Sequence, residues 1–198
     1  MTTAATSRLT QGRTGSKHHR MYPYIRSGLA LLRGRMKPPL PSLTSTLVTH
    51  HRAWPWDTDM YNELNHGRIL TLFEINRWEL AMRMGLIGYL FKNKLGFTVA
   101  GVSVRYRRRV PLGAKYRIET RPLGWDHKFI YIEQQMWMGD TACNQLLLRT
   151  AFLGRNGVIP PTQAATDLGQ NPQSPPLPDW VTEWIAAETA RPWPPVSV

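Results

Sequence analysis

Asp57 and Asp59 stand two residues apart near the head of the stretch WPWDTDMYNELNHGRILTLFEINRWELAMRMG, residues 54–85. A carboxylate so placed can activate water as a general base or attack a carbonyl carbon directly. Either route needs a second feature, a site for the oxyanion that forms as the carbonyl is attacked. Asn65, His66 and Gly67 supply a candidate, because they open a helical pattern. The first N–H groups of a helix lack intrahelical partners and lie at the positive end of its macrodipole. A carboxylate beside such donors is the equipment of acyl transfer. The same Asp-x-Asp before a helix is also a common capping arrangement, in which both acids do no more than satisfy turn amides.

The elements that must position these groups are legible as patterns. Ile69, Leu72, Phe73, Asn76, Leu80 and Met84 recur at spacings of three and four, with Leu70, Arg77 and Ala81 on the adjacent stripe. That spacing predicts a long helix, apolar on more than one side and therefore enclosed by its domain. Asn65 is the expected N-cap and Asn62 the competing one. Upstream, Leu43 to Arg52 reads as a β-branched strand. Downstream, Leu86 to Lys94 reads as a short helical turn, and Phe97 to Val110, Ala114 to Arg121, Lys128 to Met138 and Thr141 to Leu153 read as strands. Their separators are Pro111-Leu-Gly113, Pro122 to Asp126 and Gly139-Asp140, and such short connections imply antiparallel neighbours. The expected fold class is α+β, one five-stranded antiparallel sheet wrapped around one long central helix.

Three regions follow from the composition. Residues 1–42 form a basic arm with little to bury before about His19, then a short basic amphipathic helix that stops before Pro38. Residues 43–160 hold the domain. Residues 161–198 form a Pro-rich tail with a helix at Asp179 to Ala190, which carries Trp180, Val181, Trp184 and Ile185 and is expected to dock back on the body. The net charge is +12, yet no acid precedes Asp57, and a second cluster gathers Arg105, Arg107, Arg108 and Arg109. The excess is thus an arm and a patch. Packing of the arm's helix on the body or a partner subunit is favoured, with contact of the basic arm at a membrane surface left open. Nucleic acid is disfavoured, since only Tyr106 interleaves with the arginines. Cys143 is the single cysteine, which excludes an intrachain disulfide and a cysteine metal cluster. His50 and His51 point to opposite faces of a strand, so no metal site is expected. The N-terminus has no hydrophobic run resembling a signal, and a cytoplasmic protein is expected.

The element order and the acidic turn resemble the hotdog fold, and the motif resembles that of the 4-hydroxybenzoyl-CoA thioesterase-like acyl-CoA thioesterases. The resemblance covers roughly Thr44 to Pro160. The family pattern often reads Asp-x-Asp, Gly-His, then hydrophobic-Asn-Asn before the helix. Asp57, Asp59, Leu64 and Asn65 match it; Gly67-Arg68 and Glu74 fit a common continuation. Asn62-Glu63 replaces Gly-His, and His66 replaces the second Asn, seven positions after Asp59 as in some members. What this implies is an acyl-CoA thioesterase with Asp59 as base or nucleophile, and with the backbone near His66 and Gly67 polarising the thioester. His66 would orient water or the carboxylate, or act only as a cap. Asn65 would hold the turn at the substrate, and Arg105, Arg107 and Arg109 would share a strand face that meets the phosphates of coenzyme A, or would only be solvated. Asp57 is read as structural; Glu74 either faces a partner subunit's site or is a paired buried acid. The family implies at least a homodimer, and no cofactor beyond coenzyme A as part of the substrate. The altered turn keeps a second class open, a noncatalytic hotdog protein that binds an acyl chain or acyl-CoA.

Overall fold

The computed structural model describes residues 23–195, so the polar stretch before His19 lies outside it. The elements run α1 (Tyr24–Met36), β1 (Leu47–Arg52), a 3-10 turn (Pro55–Asp57), α2 (His66–Arg83), α3 (Leu86–Asn93), β2 (Gly96–Tyr106), β3 (Lys115–Trp125), β4 (Ile130–Met138), β5 (Thr141–Gly154), β6 (Gly157–Ile159), α4 (Pro161–Asp167) and α5 (Asp179–Ala190). Five strands lie in the order β1-β3-β4-β5-β2, all neighbours antiparallel, and the short β6 pairs with the end of β5.

The sheet packs around α2, as a helix apolar on more than one side requires. Ile69, Leu72 and Phe73 are buried with Tyr116, Ile118, Ile132, Met136, Leu146 and Leu148 from three strands. Each such side chain contributes about 1.5–3 kcal/mol relative to exposure. Polar clips fix the helix along its axis. Gln134 Nε2 donates to the Phe73 carbonyl at 2.9 Å, and Arg77 donates to Gln134 Oε1 at 2.6 Å. On the opposite side Asn76 accepts from Thr49, and His51 Nε2 lies 2.8 Å from the same Thr49 hydroxyl.

Several strand ends differ from the sequence expectation, each for a local reason. β1 begins at Leu47 rather than Leu43, because Ser42 and Ser45 close a turn in which the Ser42 N–H donates to Ser45 Oγ at 3.1 Å. β3 continues through Pro122 to Trp125, absorbing the expected turn as a bulge between Pro122 and Gly124. A Cβ at Gly124 would sit 2.7 Å from Ser174 Oγ, so the tail presses on the strand at the one residue without a side chain. The strand expected to reach Val110 stops at Tyr106, where both the Arg107 and Arg108 N–H groups donate to the Cys143 carbonyl. β6 and α4 were not legible, being three and seven residues long.

Part of the outer face of the sheet is covered. Val181 of α5 is buried against Tyr131 and Leu147, with Trp184, Ile185, Leu123 and Phe129 around them. Trp180 stays on the solvent side. α1 lies against α2 through Ser27, Ala30 and Gly34, three of its four small residues, which permits close approach of the two backbones.

Candidate active site

The two acids of the Asp-x-Asp turn have different fates. Asp57 is 1% exposed and accepts from Arg26 Nη1 of α1 on both oxygens at 2.7 Å. Arg68 Nε of α2 lies 3.3 Å from its Oδ1, and its carbonyl accepts the Asn65 N–H at 3.0 Å. Asp57 therefore ties the start of α2 to α1 and does not line the cleft beside Asp59.

Asp59 sits where the chain reverses. Its N–H donates to the Glu63 carbonyl at 2.9 Å, its carbonyl accepts from Asn62 at 3.1 Å, and its Oδ1 accepts the Tyr61 N–H at 2.9 Å. The turn requires a left-handed residue, and Asn62 holds φ at 56°. Asparagine is the residue that best replaces glycine in that conformation, so the departure from Gly-His keeps the backbone path. The other carboxylate oxygen has no partner among the described residues. Asp59 lines a cleft of about 230 Å³ together with Glu63, His66, Tyr106, Arg107, Arg108, Arg109 and Asn144.

The start of α2 forms one wall of this cleft. Asn65 caps the helix, its Oδ1 accepting from Gly67 at 2.9 Å and from Arg68 at 3.2 Å. The Gly67 N–H is thus engaged by the cap, while the His66 N–H has no acceptor among the described residues. Tyr106 leans on the same terminus: its hydroxyl donates to the His66 carbonyl at 3.3 Å, and its ring meets the imidazole edge-on at 6.3 Å. Burial raises the Tyr106 phenol above its ordinary range, so it remains a donor.

The arginines do not form the single row that strand alternation predicts, because β2 ends before Arg107. Arg107, Arg108 and Arg109 meet Asp59 in its cleft, whereas Arg105 joins Arg107 in a neighbouring cleft with Gln135, Trp137 and Asn144. Arg109 pairs with Glu63 at 3.1 Å. Glu74 is in neither place; it lines a separate apolar cleft with Trp78, Phe97 and Val99 beside β2. Asn144, buried on β5, and Tyr106 are the site residues that sequence reasoning left out. Tyr106 is the last residue of β2, paired in register with Asn144, and its contact, His66, is forty residues away in sequence.

A larger cleft, about 660 Å³, opens elsewhere, lined by Arg26, Arg33, His51, Arg52, Trp54, Lys115, Tyr116 and others, and includes neither Asp59 nor His66. Burial there holds the His51 imidazole neutral, its pKa lowered to about 4. The Cys143 thiol is pushed up by burial, which removes it as a nucleophile. No group of three His, Cys, Asp or Glu able to hold a metal ion occurs among the described residues.

A curled antiparallel sheet around one long helix, with an acidic turn at the helix start, defines a hotdog protein. The fold is shared with a 1,4-dihydroxy-2-naphthoyl-CoA thioesterase from Synechocystis, at a TM-score of 0.54 and 8% identity over 63% of this chain and 95% of that one. It is shared as well with a hypothetical protein of Staphylococcus aureus solved in complex with CoA, at a TM-score of 0.57 and 11% identity over 70% of this chain and 92% of that one. Residues 53–185 match the thioesterase-like superfamily, and the chain belongs to that family. Among curated relatives it is similar to Protein THEM6 of Xenopus laevis, 27% identical over 165 residues, which are 82% of this chain and 78% of the relative.

Proposed function

We propose that the protein is an acyl-CoA thioesterase in which Asp59 attacks or activates water at the thioester carbonyl and the His66 N–H receives the oxyanion. The observation that carries this is the shared cleft: a carboxylate with one free oxygen, the open end of a helix and three arginines line one space. Water adds to the carbonyl carbon, Asp59 takes its proton, and the tetrahedral intermediate collapses with cleavage of the C–S bond. Thiols ionise near pH 8.5, so the thiolate leaves with little help from an acid. If Asp59 is instead the nucleophile, water cleaves the resulting anhydride in a second step. Arg107, Arg108 and Arg109 suit the phosphates of coenzyme A, in keeping with the CoA complex of the Staphylococcus aureus protein. The reading places the enzyme in the cytoplasm and needs no cofactor.

The functional unit is a homodimer joined at β2. This strand has one unpaired edge and exposes Val99 (49%) and Val102 (44%), and the cleft holding Glu74 opens beside it. An unprotected edge of this length is a template for pairing.

One observation favours the noncatalytic alternative, a hotdog protein that binds acyl-CoA without cleaving it. The Gly67 N–H, expected to polarise the thioester, is held by Asn65. Steady-state thiol release from a panel of acyl-CoAs separates the two. Asp59→Asn is expected to lower it at least about a hundredfold, with folding and assembly unchanged. Binding of acyl-CoA by the native protein without thiol release would install the alternative.

A further inference from the structure

Helix α1 turns its large apolar residues away from the protein. Ser27, Ala30 and Gly34 share the face that packs on α2, and all three are buried. The approach is so close that a Cβ on Gly34 would lie 2.9 Å from Met82 Cβ and 3.1 Å from the Glu79 carbonyl oxygen. At 100° per residue the opposite face holds Ile25, Leu29, Leu32 and Met36. All four are exposed, Ile25 at 81% and Met36 at 78%. Their spacing of four, three and four makes one continuous stripe about 16 Å long. The body is therefore gripped by the small residues, and the apolar stripe has no partner within the described residues.

Charge selects what could cover it. Arg33, half-exposed and 3.7 Å from Glu79, flanks the stripe on one side and Arg35 on the other, Arg26 being turned to Asp57, while Arg8, Arg13, Lys17 and Arg20 precede the helix and no Asp or Glu occurs before Asp57. Two copies meeting through α1 about a two-fold axis would set these cations against each other. The stripe is also narrow beside the roughly 800 Å² per partner of a stable protein interface. An anionic lipid surface satisfies both features at once: apolar side chains enter the headgroup boundary and arginines remain among the headgroups. Trp54 shares a cleft with Leu29 and Arg33, and stacks on the exposed Trp56 at 5.3 Å. One indole thus shares a cleft with the middle of the stripe, and tryptophan is the residue favoured at headgroup depth.

We propose that the outer face of α1 docks the protein on the surface of an anionic bilayer. No helix among the described residues is long and apolar enough to cross a membrane, and the contact assigned here is with its surface. It stands apart from the thioesterase reading.

The test is co-sedimentation of the full chain with vesicles of phosphatidylcholine alone and of phosphatidylcholine with phosphatidylserine. Partition is expected to be at least about tenfold stronger on the anionic vesicles and to weaken with salt. The double substitution Ile25→Gln with Leu32→Gln leaves the charge unchanged, and is expected to lower partition on the anionic vesicles by about tenfold or more. The apolar exchange Ile25→Leu with Leu32→Ile is expected to retain it. Equal sedimentation with both vesicles, none with either, or undiminished binding by the glutamine pair at an unchanged melting temperature would each overturn the assignment.

Discussion

Asp57 and Asp59 are two residues apart in sequence and differ in everything that decides their roles. Removing the buried partner of Arg26 and Arg68 leaves those cations uncompensated, so Asp57→Ala is expected to lower unfolding free energy by about 3 kcal/mol in urea titrations. Asp59→Asn keeps an acceptor for the Tyr61 N–H and is expected to change stability by less than about 0.5 kcal/mol. His51 adds a pH dependence whose sign follows from its burial. Its folded-state pKa is lowered from 6.5 to about 4, so between these values the unfolded chain binds a proton that the folded one refuses. Stability contributed by this group is complete above pH 6.5, declines as pH falls, and levels off below about 4. The cost is at most about 3 kcal/mol. His51→Gln should flatten this limb of the stability profile; identical profiles for the two proteins would show that the imidazole is not buried neutral.

The helix α1 offers a test that uses its glycines. Gly34→Ala forces a side chain against Met82 and a backbone oxygen, and is expected to cost about 1–3 kcal/mol. Gly28, six residues earlier on the same helix, has nothing within 4 Å of a built Cβ. Gly28→Ala should therefore stabilise by about 0.5–1 kcal/mol, through helix propensity alone. Opposite shifts in melting temperature are the signature. The pattern here is that of a basic amphipathic helix, expected to pack on the body or a partner subunit, but amphipathicity does not say which face a helix buries. Ser27, Ala30 and Gly34 looked like gaps in the pattern and are in fact its contact. α2 was readable because Ile69, Leu72, Phe73, Asn76 and Leu80 recur at helical spacing and are all buried. The strands were readable through alternation, and their ends were not: Pro122-Leu-Gly is a turn by composition and a bulge by register. The site shared both outcomes. The cap at Asn65 follows from local chemistry, whereas the meeting of Tyr106 with His66 joins residues forty apart and leaves no local pattern.

At the scale of the molecule, the sheet has a long free edge at β2 and a roof over part of its outer face. Joining of two copies at β2 is expected to be lost on Val99→Lys with Val102→Lys, which should move the protein from dimer to monomer in sedimentation velocity, since like charges would then face each other across the two-fold axis. A sedimentation coefficient unchanged by the lysines would place the contact elsewhere. The roof has a further effect. With Val181, Trp184 and Ile185 seated over Tyr131 and Leu147, the apolar part of the outer face is already occupied and offers nothing for a second copy to stack on. The proposed pairing at β2 would use up the one long edge, so a dimer is expected with no larger species as the concentration is raised.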